Sequence, residues 1–115
     1  MSYDIGLYKD EDLVEVPPFT EGRTYPIGGR TLAELNITYN YSWFFERCLD
    51  EERGLRWLYG KKAITTIVRL QQAINELGTD QFENYWAPTP GNAGHALNIL
   101  LRWARQHPNA IWQGD

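Results

Sequence analysis

The spacing of apolar residues changes once along this chain. Before residue 42 it has a period of two. Tyr3, Ile5 and Leu7 alternate with Asp4, Gly6 and Tyr8, which predicts a half-buried strand. Leu13, Val14 and Val16 predict a second short strand, ended by Pro17-Pro18 because proline cannot donate to a ladder. Residues 24–27 read as another extended piece, closed by Gly28-Gly29. Leu35, Ile37, Tyr39 and Tyr41 alternate with Asn36, Thr38 and Asn40, so 35–41 is the clearest strand, with the polar set on its other face.

After residue 42 the period becomes helical. Ser42 is placed to cap a helix over 43–49, and 51–59 reads as a short helix stopped by Gly60. Over 61–77, Ala63, Ile67, Leu70, Ile74 and Leu77 form one stripe, with Ile64 and Val68 widening it. Gly78 ends that helix, and Thr79 or Asp80 is placed to cap a single turn through Tyr85. Ala93, Ala96, Leu97, Leu100, Leu101 and Ala104 predict a last helix over 90–106, stopped by His107-Pro108. The tail, 109–115, carries Ile111 and Trp112, which are too apolar to leave in water; Trp112 is expected to fold back over the start of the last helix. Strands precede helices. The reading is α+β: one domain over 1–115, with a small, mainly antiparallel N-terminal sheet packed with C-terminal helices.

Composition adds three constraints. Aromatic content is 14%, with five Trp and seven Tyr, a composition suited to a recognition surface. The net charge of −4 argues against binding a nucleic acid backbone. The single cysteine, Cys48, permits no internal disulfide and fits a reducing, cytoplasmic setting. No apolar run has the length of a membrane span, and the first residues do not resemble a secretion signal.

The stretch "YWAPTPGNAG" at 85–94 raises the sharpest question. Thr89 is a good N-cap and Pro90 suits the first helical position. Gly91 and Gly94 then each cost about 1 kcal/mol relative to alanine in a helix. One explanation is close packing against a core ring such as Trp86 or Trp112. The other is a ligand site. There Tyr39, Tyr41, Tyr85 and Trp86 hold a planar group, while Thr89, Gly91, Asn92 and His95 read its polar or anionic part. A second anion patch is expected at Arg53, Arg56, Lys61 and Lys62, since two lysines at a helix start oppose the helix dipole. Its plainer reading is two solvated lysines beside Glu51 and Glu52.

No catalytic grouping stands out. Neither a Walker P-loop nor a dinucleotide fingerprint is present. His95 and His107 are too far apart on one helix to share a metal, and Cys48 sits in an apolar helical stretch that suits an inert thiol. No cofactor is implied.

Five segments carry a resemblance: "MSYDIGLY", "ITYNYS", "GLRWLYG", "YWAPTPGNAGHAL" and "IWQGD". Through them the chain resembles, end to end, a group of small uncharacterised proteins of bacteriophages and prophages. The resemblance implies a small accessory protein that occupies a host protein or a nucleotide signal, and it names no catalytic residue. The leading expectation is therefore a non-enzymatic binding protein for a small anionic ligand or a host protein. One alternative is a small enzyme acting on a nucleotide-like ligand through Asn92, Tyr85 and His95. Another is a structural homo-oligomeric module.

Overall fold

The computed structural model of the chain describes residues 1–21 and 29–115. Strand β1 (Ser2–Lys9) is the common partner of a four-stranded antiparallel sheet. Tyr3, Ile5 and Leu7 are buried, as the alternation requires. β1 turns at Asp10-Glu11 into β2 (Asp12–Leu13), with Asp10 at φ 58°. It pairs with β5 (Glu34–Thr38) in the register Tyr3↔Ile37, and with β6 (Ile111–Gly114) in the register Leu7↔Trp112. β3 (Glu15–Phe19) and β4 (Arg30–Leu32) form a separate two-stranded sheet. Pro17-Pro18 lies inside β3, not at its end, and occupies the irregular stretch between the Glu15↔Leu32 and Phe19↔Arg30 pairs. The extended piece expected at 24–27 lies outside the described residues.

The strand expected at 35–41 stops at Thr38, and Tyr39–Tyr41 is a 3-10 turn. The Thr38 hydroxyl accepts from the Asn40 amide at 3.1 Å, a local bond that competes with the ladder. Asn36 and Thr38, on the other face from Leu35 and Ile37, are buried as well, and the Asn36 amide donates to the Ser2 hydroxyl and the Asp4 carboxylate.

Three α-helices follow: α1 (Ser42–Cys48), α2 (Ile67–Leu77) and α3 (Pro90–Gln106). Ser42 is not the side-chain cap of α1; its hydroxyl lies 2.7 Å from that of Tyr3. The segment expected as a helix at 51–59 is a 3-10 helix, Gly54–Leu58. α2 is entered through another, Ala63–Thr66. Ile64 and Val68 are 54% and 69% exposed, so they do not widen the buried stripe; the core face runs through Ala63, Leu70, Ala73 and Ile74. Gly78, at φ 75°, ends α2. The residues expected to form a turn before Tyr85 are irregular.

α2 and α3 run antiparallel. Ile64 donates to Pro108 just past the end of α3, while Gly78 meets the first turns of α3. Trp112 folds back and is fully buried, and its indole donates to Thr66 Oγ1 at 3.0 Å. That position is at the beginning of α2, not over the start of α3, which lies about 25 Å away along a 17-residue helix. Among the described residues, no helix is long and apolar enough to cross a membrane.

Candidate functional site

The two glycines of α3 have a direct explanation. A Cβ on Gly91 would stand 1.8 Å from the Asp80 carbonyl oxygen, and one on Gly94 would stand 1.7 Å from that of Gly78. The chain leaving α2 crosses the first turns of α3 backbone to backbone. The approaching group is neither Trp86 nor Trp112. It is the peptide backbone itself.

Asn92 then organises the loop between the helices. It is buried. Its Oδ1 accepts from the Phe82 amide at 2.8 Å, and its Nδ2 donates to the Asn84 and Ala87 carbonyls, each at 3.0 Å. The Asn92 amide N–H donates to the Thr89 hydroxyl, the expected N-cap, and that of Ala93 donates to the Thr89 carbonyl. These groups are therefore already engaged within the chain.

Tyr41 and Tyr85 support the same loop from the sheet side. The Tyr41 hydroxyl donates to the Tyr85 carbonyl, and the Tyr85 hydroxyl donates to the Asn36 carbonyl at 3.2 Å. Burial pushes the Tyr41 phenol well up, with Tyr85 adding to it. Burial also raises Tyr85, followed by the Glu21 carboxylate. Trp86 is fixed by its backbone: its amide donates to Asn84 Oδ1 at 3.0 Å and its carbonyl accepts from Asn40 Nδ2 at 2.8 Å. Its indole meets Tyr85 edge-on at 5.3 Å yet is 52% exposed.

The structure thus brings Tyr41, Tyr85, Trp86, Thr89, Gly91 and Asn92 together. Tyr39 belongs to another cluster, packed on Tyr3 at 4.7 Å. His95 lies one turn further along α3, its Nε2 3.4 Å from Glu21 Oε2 but not aligned as a hydrogen bond.

The cations expected as one patch have separate neighbours. Arg56 lies over the Tyr3 and Tyr39 rings and donates to the Tyr39 hydroxyl. Lys61 Nζ donates to the Trp57 carbonyl at 2.6 Å and sits over its indole. Lys62 precedes the 3-10 turn and pairs with Ile111 through its backbone. Arg53 is exposed, and its amide donates to Asp50.

Two features escaped the sequence reading. Trp43 is 60% exposed, and Arg47 lies over its ring at 5.2 Å. The four-residue spacing of the pair on one helix was the available signal. Arg69, from the first turn of α2, lies over Trp57 at 5.4 Å, a contact that spacing alone does not announce. Cys48 lies between these elements, and its thiol is pushed up to about 11 by burial first and then by Glu76. It is protonated at neutral pH and a poor nucleophile. Among the described residues, no three His, Cys, Asp or Glu side chains gather as a metal site. No family model matches the sequence, and neither a curated protein nor a solved structure matches it.

Proposed function

We propose that this chain is a non-catalytic binding protein whose partner is another protein, held on the aromatic face around Trp86 and Trp43. The observation that carries this reading is the state of Trp86. Its backbone is tied on both sides, while half of its indole faces solvent. A large aromatic ring on a fixed backbone loses little entropy on binding, and tryptophan is the residue most enriched at interface hot spots. Asn40, which holds the Trp86 carbonyl, stands three residues before the exposed Trp43.

The small-anion reading has less support. The Asn92 side chain and the Asn92 and Ala93 amides already bond within the chain. A phage accessory protein that occupies a host protein fits the same surface.

The test is a photo-crosslinking residue at position 86, at 43 and, as a control, at the exposed Glu51, in extract of the cells where the protein is made. A discrete adduct from 86 or 43, absent from 51, is the expected result. Equal labelling from all three positions, or a small molecule retained stoichiometrically in native mass spectrometry, would overturn the reading.

A further inference from the structure

A shallow groove runs between α1 and α2 in two connected parts. One, about 430 Å³, is lined by Arg47, Cys48, Arg69, Gln72, Asn75 and Glu76. The other, about 340 Å³, shares Arg47, Cys48 and Glu76 and adds the apolar walls of Trp43, Phe44, Leu77 and Pro90. Arg47 and Arg69 therefore reach one groove from different helices. Among the described residues, neither is within ion-pairing distance of a carboxylate, although the chain has 15 acidic residues. Each guanidinium lies over an indole, which narrows its rotamers and keeps its donor edge available. Arg69 is further fixed by donating from Nη1 to the Leu49 carbonyl at 2.6 Å.

Resting on the partner-binding reading, we propose that this groove is the docking site for a partner segment that presents a carboxylate next to an apolar side chain. The carboxylate meets Arg47 and Arg69, and the apolar group meets Trp43, Leu77 and Pro90. A carboxylate is the group that a planar guanidinium fork matches in two bonds. Glu76 in the same groove, and the net charge of −4, oppose a nucleic acid, whose charge repeats along its whole length.

The probes are two short peptides, one of leucine and glutamate and the other of leucine and lysine, titrated into isotope-labelled protein and followed by amide shifts. The glutamate peptide is expected to give saturable shifts along α1 and α2. Arg47→Glu should weaken it by about tenfold or more, the usual scale for reversing a charge at a contact. The Arg47 guanidinium makes no hydrogen bond within the described fold, so that variant is expected to keep its circular dichroism. Arg47→Glu combined with Arg69→Glu should weaken binding further. Glu51→Ala, at an exposed position outside the groove lining, should leave peptide binding unchanged. Four outcomes would overturn the proposal: no saturable shift, equal binding of the lysine peptide, preference for a single-stranded oligonucleotide at these residues, or self-association abolished by Arg47→Glu. If crosslinking from Trp86 succeeds while the peptide titration is blank, the groove is rejected and the partner-binding reading stands.

Discussion

Asn92 shows how one side chain fixes a loop. Its oxygen serves the Phe82 amide and its nitrogen serves the carbonyls of Asn84 and Ala87. Asn92→Ala strands these buried groups and is expected to cost about 1–3 kcal/mol in chemical denaturation. The glycines make an opposite-signed test. In an open helix, Gly94→Ala would gain about 1 kcal/mol. Here the new methyl would meet the Gly78 carbonyl, which belongs to a backbone and cannot rotate away as a side chain would. Overpacking should prevail, with a net loss of about 1–3 kcal/mol. Gly91→Ala should behave alike against Asp80. A gain in stability in either variant would show that the 78–80 segment yields, and that these glycines do not serve backbone packing.

At the scale of elements, β6 closes the sheet. It pairs with β1 and carries the fully buried Trp112, whose indole is satisfied by Thr66. Trp112→Ala is expected to cost about 3–5 kcal/mol, the range for emptying a large aromatic site. Truncation after Pro108 should cost no less, because the ladder to β1 is lost as well. Denaturation midpoints that match the full chain would refute both. α3 was legible to the residue because its signals are local: a capping threonine, a proline at the first position and a stop before Pro108. The 3-10 turn at Tyr39–Tyr41 was not, because its alternation imitates a strand while the Thr38 hydroxyl redirects the backbone. Ile64 and Val68 were misplaced because periodicity gives the width of a stripe only after the neighbouring helix is known. The aromatic site was legible as a cluster but not as an exterior. Nothing in "YWAPTPGNAG" says that Asn92 turns inward to the loop while Trp86 is left half outside.

The whole molecule carries a pH signature. Burial leads the upward shifts of Cys48, to about 11, of Tyr59, to about 12, and of Tyr41 and Tyr85. All four groups are neutral in the folded protein at neutral pH, and their ordinary values are about 8.5 for a thiol and about 10 for a phenol. The sign follows from linkage. A folded value above the unfolded one means that the unfolded chain releases its proton first as pH rises. The stability these groups carry is then complete below their unfolded values and is lost as pH climbs toward the folded ones. The urea midpoint should hold steady to about pH 8 and fall between about pH 9 and 12. Tyr41→Phe separates this effect from general alkaline repulsion. It removes the hydroxyl that donates to Tyr85, which should lower stability at neutral pH by about 1 kcal/mol. It also removes one phenol from the titration, so the alkaline decline should be shallower than in the parent. In the parent, part of the phenolate absorbance should appear only together with unfolding. If all seven tyrosines ionise while circular dichroism stays native, and the Tyr41→Phe decline runs parallel to the parent's, buried phenols do not set the alkaline limit of this fold.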